Sequence, residues 1–229
     1  LTGPMRTVMV GQEPHPPFLL HHNILCKSSE LFKSKMTWSE AVELPALNYE
    51  AFRLYSSWLY AGRMSRPQDD DMMERISWPL LAHAYALGEA IEDCRFKDLI
   101  IDYIRDIMTS NLAGMKFFYA SYASEVVTAI YGSTPPGSPA RMFMNHVCID
   151  RGPTVSEWLE QRRHQLPNDF IFDMATLLAY NMGEPRRKHI SKTKCAYHSH
   201  AIDVDDDVCP NELTGRQRDP DASMMLREW

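Results

Sequence analysis

Residues 18–32 read FLLHHNILCKSSELF, and this stretch gives the first signals of the fold class. Its first four residues form a short apolar run, which a proline-rich segment separates from another such run, TVMVG, at residues 7–11. Two runs of this kind around a turn predict a β-hairpin. After His22 the apolar positions are interrupted at Ser28 and Ser29, which predicts that one short helix ends there and a second is capped.

The residues that follow predict one more short strand and then mainly helices. Residues 42–44 are a strand candidate that Pro45 ends, and Asn48 is an N-cap for a helix that Gly62 closes. Paired apolar residues four apart over residues 99–108 predict a helix with one apolar stripe. The predicted fold class is α+β, with a small β-sheet packed against a helical cluster and a mainly helical C-terminal extension.

Further along, the sequence predicts an extension and a tail. The turn STPPGSPAR at residues 133–141 contains prolines and a glycine that cannot continue a helix interior. The last ~45 residues are rich in charge and poor in apolar periodicity, as is typical of segments with little core of their own. The predicted organisation is a first domain at residues 1–111, a helical extension at 112–182 and a polar tail at 183–229, disordered or stabilised by a metal.

Two predictions concern the helices of the extension. Between residues 168 and 181 a helix is predicted in which one face carries Phe170, Met174, Leu177, Leu178 and Asn181. Met142 and Met144 are expected in the core because they stand near helical apolar neighbours.

Composition limits the function classes. A net charge of -6 argues against a duplex-binding domain, because affinity for the phosphate backbone comes mainly from clustered lysine and arginine. The basic run at residues 186–194 is a nuclear address, a patch for acidic partners, or more often a solvated loop. We expect no nucleic-acid partner.

Cysteine usage and hydropathy indicate the compartment. Five scattered cysteines without a Cys-x-x-Cys pair are a poor disulfide framework and favour a reducing compartment. No apolar stretch approaches the ~18 residues needed to span a bilayer, and no signal-peptide pattern opens the chain. We therefore expect an intracellular protein, cytoplasmic or nuclear or both, without a membrane partner.

The common enzyme signatures are missing from the sequence, including phosphate-binding loops, the nucleophile elbow and the His-Glu-x-x-His helix. For His21 and His22 a capping or hydrogen-bonded role is favoured over that of a catalytic base. We expect no enzyme and no catalytic residue, although a pocket lined by convergent titratable groups would reopen that question.

One cluster in the tail has metal-binding chemistry. Thiolate and imidazole are preferred zinc ligands, and four of them suffice for a closed structural site. The cluster consists of Cys195, His198, His200 and Cys209. Its spacing is not that of a standard zinc finger, and the alternative is a hydrogen-bonded or disordered tail. Apart from this structural zinc, no cofactor is expected.

Taken together and in order, these segments resemble a known family. Residues 10–32, with a strand, then Phe-x-x-His, then Leu, Ser and Phe, resemble the opening of a BTB/POZ domain, and WLYAG at residues 58–62 is similar to the exit of its next helix. Residues 80–108 are similar to the helical pair that completes that fold, and STPPGSPAR resembles the junction that follows it in fungal members. The resemblance covers residues 7–150. It implies that the side chains of Phe18, Leu25 and Phe32 fill the core.

The resemblance implies a non-catalytic protein-protein interaction module. Some BTB/POZ proteins dock on a cullin-3 scaffold as substrate adaptors of a ubiquitin ligase, and these carry a hydrophobic-x-Glu motif after the second helix. Trp38 and Glu40 have that form and are the candidate partner-binding residues, in a loop that is shorter than in the family. Alternatively, Trp38 packs on the surface and Glu40 is solvated.

The mode of association stays open at this stage. Repressor-type members have a charged pocket at the positions that Gly11 and Asn23 occupy here, and few residues precede the first strand, so dimerisation by strand exchange is not expected. The expected partners are cullin-3 or another BTB chain. The alternative function is a nuclear, transcriptional regulator that assembles with other proteins through the same domain.

Overall fold

The strands come first in the chain and the helices follow. The computed structural model describes residues 3–12, 15–36, 41–62, 77–110, 123–151, 155–180 and 194–199. Their elements are β1 (Met5–Val10), β2 (Phe18–His21), α1 (His22–Ser28), α2 (Glu30–Lys35), β3 (Ala41–Leu44), α3 (Tyr49–Ala61), α4 (Trp78–Ala90), α5 (Cys94–Ser110), α6 (Ala123–Ser133), α7 (Pro139–Arg151), α8 (Val155–Arg162), α9 (Asn168–Tyr180) and a 3₁₀ turn (Lys194–Tyr197). The predicted α+β class, a small sheet with mostly helical content, is confirmed.

Internal contacts divide the chain into two compact units, Leu1–Ile100 (unit 1) and Ile101–Trp229 (unit 2). The predicted domain boundaries at residues 111 and 182 stay predictions. Unit 1 contains the sheet and the helices through α4, and the unit boundary falls within α5.

The sheet of unit 1 has the strand order β2-β1-β3. β1 pairs antiparallel with β2, as the hairpin prediction requires, and parallel with β3. Residues alternate between the two faces of a strand. One face is buried and consists of Val8, Val10, Leu20, Val42 and Leu44. The opposite face of β1 and β2, on which Thr7 is paired with Leu19, exposes the apolar side chains of Met5, Met9 and Leu19.

The predicted caps of the short helices are confirmed. Ser29 precedes α2, and its hydroxyl accepts a hydrogen bond from the Phe32 amide at 3.2 Å. The Asn48 side chain caps α3 by accepting from the Ala51 amide at 2.9 Å. Gly62 ends α3 with a φ of 71°, a left-handed conformation that glycine adopts without a Cβ clash.

Aromatic side chains fill the core of unit 1. Trp58 of α3 lies 5.1 Å, centroid to centroid, from Phe96 of α5, and Tyr55 lies 4.9 Å from the same ring. Leu25 and Phe32 are completely buried, as the resemblance implies, and Phe18 is half-buried against Tyr49 and Phe52. Large buried rings supply most of the apolar area that a unit of this size needs.

Helices α4 and α5 approach each other closely at Gly88. A Cβ at this position would lie 2.7 Å from Lys97 Cγ, and the Lys97 side chain is held in place because its Nζ lies 3.0 Å from Glu89 Oε2. We predict that Gly88→Ala lowers the free energy of unfolding by about 2 kcal/mol through overpacking. Urea denaturation followed by circular dichroism measures this.

Gly132 in α6 is the matched control for that substitution. A Cβ there meets no atom within 4 Å, so Gly132→Ala is expected to raise stability by about 0.5–1 kcal/mol through helix propensity alone. Equal effects of the two substitutions would contradict a steric role for Gly88.

The described part of unit 2 packs around Phe170 of α9. This ring contacts Tyr131 of α6 and Trp158 of α8 edge to face, at centroid distances of 5.5 and 6.2 Å. Met144 is buried as predicted, and Met174 is buried on the same face of α9 as Phe170.

Two apolar residues of unit 2 are instead exposed. Leu178 is 43 % exposed, because each four-residue step advances about 40° around a helix and Leu178 lies roughly 80° from Phe170. Met142 is 42 % exposed, since it stands on the side of α7 opposite Met144 and Val147. The prediction that Met142 lies in the core is therefore wrong.

The STPPGSPAR turn between α6 and α7 is closed by its own last residue. The buried Arg141 guanidinium donates through Nε to Thr134 Oγ1 at 3.1 Å, through one Nη to the carbonyls of Tyr131 (2.9 Å) and Thr134, and through the other to Asp169 Oδ2 at 3.4 Å. It also lies 4.5 Å above the centroid of the Tyr131 ring. The Arg141 side chain therefore fixes the turn that joins α6 to α7.

Candidate functional site

The two predicted partner-binding residues, Trp38 and Glu40, lie outside the described residues. They stand in the four-residue link between Met36, the buried C-cap of α2, and Ala41, the first residue of β3. The nearest buried residues on the two sides of the link are Met36 and Val42. The role of Trp38 and Glu40 stays a prediction.

The predicted Cys/His cluster is partly described. Cys195 stands in the 3₁₀ turn, and His198 directly follows it, whereas His200 and Cys209 lie outside the described residues. Tyr197 is buried and packs edge to face on Phe143 of α7 at 5.0 Å. Its hydroxyl lies 2.8 Å from His146 Nδ1. This part of the tail is thus packed against α7.

His198 takes part in a charged cluster with α5. Its Nε2 lies 3.1 Å from Asp102 Oδ1, and the same carboxylate oxygen lies 2.9 Å from an Nη of Arg105. The His198 side chain is only 1 % exposed and that of Asp102 is 29 % exposed. Asp102 Oδ1 therefore lies close to both a buried imidazole nitrogen and a guanidinium nitrogen.

The zinc hypothesis can be tested against these ligands. No group of three metal-binding side chains comes together within the described ranges, which include Cys195 and His198 but not the other two residues of the cluster. With Nε2 occupied by Asp102, His198 would bind a metal through Nδ1, as in carboxylate-histidine-zinc arrangements. The four-residue zinc site stays a prediction.

Sequence reasoning missed a buried polar latch in unit 1. The carboxylate of Asp93 accepts hydrogen bonds from the hydroxyls of Ser28 and Tyr55, the latter at 3.0 Å, and from the Phe96 amide at 3.0 Å. The hydroxyl of Ser29 donates to the carbonyl of Ile91. The latch thus joins the α1–α2 turn to the α4–α5 turn. The available signal was an aspartate directly before a helical run, which is an N-cap pattern.

Burial sets the protonation behaviour of the latch. Desolvation raises the pKa of the Asp93 carboxyl, and the hydrogen bonds from Ser28, Phe96 and Tyr55 offset only part of this effect. Burial and the neighbouring Asp93 carboxylate also raise the pKa of the Tyr55 hydroxyl well above its usual value. Because these groups bond to one another inside unit 1, we assign the latch to stability.

The two histidines at the start of α1 make local contacts. His21 Nδ1 lies 2.8 Å from the Tyr60 hydroxyl, the hydrogen-bonded role that was predicted for it. His22 Nε2 lies 3.5 Å from Cys26 Sγ. Because burial raises the pKa of the Cys26 thiol, this thiol is a poorer nucleophile at neutral pH than an exposed cysteine.

A shallow cavity of about 260 Å³ lies between the start of α3 and α4 in unit 1. Its lining residues are Ala46, Leu47, Asn48, His83, Ala86 and Leu87. His83 is the one titratable side chain among these six, so this cavity lacks the convergent titratable groups that an enzyme site needs. Four of the six lining residues are apolar.

Other properties of the described residues bear on the predictions from composition. Among them, Cys26 and Cys94 are free thiols. Among the helices that the structure describes, none combines the length and the apolar character needed to cross a membrane. No protein-family model matches the chain, and no curated protein matches it.

Proposed function

We propose that this chain is a non-catalytic protein-protein interaction module built on a BTB/POZ-type unit, and that it acts as a substrate adaptor of a cullin-3-type ubiquitin ligase. The observation that carries the proposal is the correspondence between the motifs behind the resemblance and the elements of unit 1. The FLLH run is β2, the Ser28–Ser29 interruption separates α1 from α2, and the WLYAG motif ends α3 at Gly62.

The packing of unit 1 supports the same proposal. A three-stranded sheet with one buried face accompanies a helical cluster in which Leu25 and Phe32 are completely buried. Trp58, at the motif that resembles the family's helix exit, lies at the centre of the aromatic core. These residues are explained by packing and need no catalytic role.

The surface of unit 1 has the character of a binding surface. On the outward face of the sheet, Leu19 is 61 % exposed and stands beside Thr7 of β1, on the same face as Met5 and Met9. Antiparallel strands usually present polar residues to solvent, so an apolar outward face is typical of a surface that another protein covers. Methionine adapts to partners of varied shape.

The cullin part of the proposal rests on the link between α2 and β3. Trp38 and Glu40 supply the hydrophobic-x-Glu pattern there, and the buried residues Met36 and Val42 fix the chain on either side.

Affinity purification with mass spectrometry tests this proposal. We predict that the full chain captures a cullin scaffold or another protein, and that Trp38→Ala and Glu40→Ala each reduce the recovery of that partner at least about tenfold, as expected for residues at the centre of an interface. Glu50→Ala is the control, because Glu50 is a half-exposed carboxylate paired with Arg53 on the same unit.

The affinity purification can either support or contradict the adaptor role. Selective loss of one partner with Trp38→Ala and Glu40→Ala, but not with Glu50→Ala, supports the adaptor role. If the folded wild-type chain captures no protein reproducibly, or if all three variants behave like the wild type, the adaptor proposal fails.

A further inference from the structure

The short segment at residues 194–199 (the docked segment) is attached to α7 by one aromatic side chain. Tyr197 is 1 % exposed, and its ring packs edge to face on Phe143 at a centroid distance of 5.0 Å. The Tyr197 hydroxyl lies 2.8 Å from Nδ1 of His146, which stands three residues further along the same helix. Both the ring and the hydroxyl of Tyr197 therefore have a partner on α7.

The next side chain of the docked segment lies against a different helix. The His198 side chain is 1 % exposed, and its Nε2 lies 3.1 Å from Oδ1 of Asp102 on α5. An Nη of Arg105 lies 2.9 Å from the same carboxylate oxygen. The His198 amide donates to the carbonyl of Cys195 at 3.2 Å and closes the turn. Two consecutive side chains are thus buried against two helices of unit 2.

The docked segment has little structure of its own to hold it. Its regular part is one 3₁₀ turn, Lys194–Tyr197, and a turn of this length is not stable by itself. Tyr197 is the one large aromatic residue among residues 194–199. The ring cluster around Phe170 is built from α6, α8 and α9, so unit 2 has another source of apolar burial. The segment is therefore bound as a ligand is, through a few side chains.

The chemistry beneath the segment defines what it recognises. Asp102, Phe143 and His146 (the α5–α7 surface) offer a carboxylate, an aromatic ring and an imidazole nitrogen. A phenol ring fits the second and third of these groups, and an imidazole nitrogen fits the first. A polar group that is buried without its hydrogen-bond partner is costly, so this surface favours tyrosine over phenylalanine.

We infer that the α5–α7 surface is a recognition site for a tyrosine-histidine segment, and that residues 194–199 of the same chain occupy it in cis. The docked segment is then an autoinhibitory contact, because its release opens the site to a tyrosine-histidine segment of a partner. The inference goes beyond the proposed function, since the site lies in unit 2 and needs neither Trp38 nor Glu40.

A peptide-binding experiment on the full chain tests the inference. The double variant Tyr197→Ala/His198→Ala removes both anchoring side chains and so frees the site. The probe is a fluorescein-labelled peptide of residues 194–199 that carries Cys195→Ser, and fluorescence anisotropy measures its binding. We expect the double variant to bind this peptide at least about tenfold more tightly than the wild type, because a tethered ligand competes at a local concentration on the order of 1 mM.

Three controls show whether the α5–α7 surface recognises the peptide. Tyr197→Phe in the peptide should weaken binding about fivefold, because the hydroxyl no longer pairs with His146. His146→Ala, added to the double variant, should weaken it by a similar factor. Tyr180→Ala/His164→Ala is the matched control in the chain, since it removes an exposed tyrosine and an exposed histidine of unit 2 and should leave peptide binding at the wild-type level.

The peptide measurements can also overturn the inference. Equal binding to the wild type and to the double variant means that the docked segment does not block the site, and binding to neither means that the site recognises no such segment. A double variant that loses its helical circular dichroism signal contradicts the inference too, because residues 194–199 would then be a permanent part of the core and not a ligand.

Discussion

Replacing Arg141 by alanine is expected to lower the free energy of unfolding of unit 2 by about 4 kcal/mol. The guanidinium is buried and donates to two main-chain carbonyls and one hydroxyl in the turn between α6 and α7. Hydrogen bonds from a charged donor contribute about 1.5–3 kcal/mol each, and the carbonyls of Tyr131 and Thr134 would lose this donor in a dry environment. Hydrogen exchange of the α6 and α7 amides, measured by mass spectrometry, localises the effect.

Two further variants separate the contributions of Arg141. Lysine keeps the positive charge but lacks the planar fork, so Arg141→Lys should still lose about half of the stabilisation. Asp169→Ala removes only the 3.4 Å ion pair, whose carboxylate is 69 % exposed, and should change stability by less than about 1 kcal/mol. If Asp169→Ala were as damaging as Arg141→Ala, the ion pair and not the clamp would hold the turn.

Local sequence signals predicted the elements of unit 1 well. The Ser29, Asn48 and Gly62 caps act within one helical turn, so the residue types at the helix ends suffice to place them. The hairpin and the short strand before Pro45 follow from alternation and from breakers in the same way. Such features depend on neighbours a few residues away.

Burial in unit 2 was harder to predict because it depends on which side of a helix other elements occupy. All of α9 is apolar apart from two aspartates, a few small polar residues and the tyrosine hydroxyl, so periodicity alone could not separate the buried Met174 from the exposed Leu178. Met142 was misplaced for the same reason, since the contacts that bury Met144 come from one side of α7 only.

The candidate sites depend on contacts between residues far apart in sequence. Ser28 and Asp93 are 65 residues apart, and Asp102 and His198 meet from the two ends of unit 2. An N-cap pattern marks Asp93 as the start of a helix, but it does not indicate that Ser28 and Tyr55 donate to the same carboxylate. The chemistry of Cys195 and His198 could be read from residue types, whereas the pairing of His198 with Asp102 required the fold.

Replacing Asp93 by alanine should lower the stability of unit 1 by about 3 kcal/mol. One part is the lost N-cap of α5, about 1 kcal/mol, and the rest is the cost of leaving the buried Tyr55 hydroxyl without its acceptor, about 1–3 kcal/mol. Urea denaturation measures the change. Asp93→Asn is the matched variant, because its amide oxygen still accepts from the Phe96 amide, and it should cost much less than alanine.

The raised pKa of Asp93 also predicts how the free energy of unfolding changes with pH. A loss of packing alone would not produce such a change. The folded protein raises the pKa of Asp93 above its unfolded value near 3.8, because burial disfavours the carboxylate. The folded state therefore binds this proton more tightly, and the associated stabilisation is fully present below the unfolded pKa and lost as the pH rises through the raised folded pKa. Across that pH interval the free energy of unfolding of the wild type should fall relative to that of Asp93→Asn. At higher pH the difference between the two should stay constant. A stability difference that is independent of pH between 3 and 7 would contradict the raised pKa, whereas a smaller cost for alanine than for asparagine would contradict the latch itself.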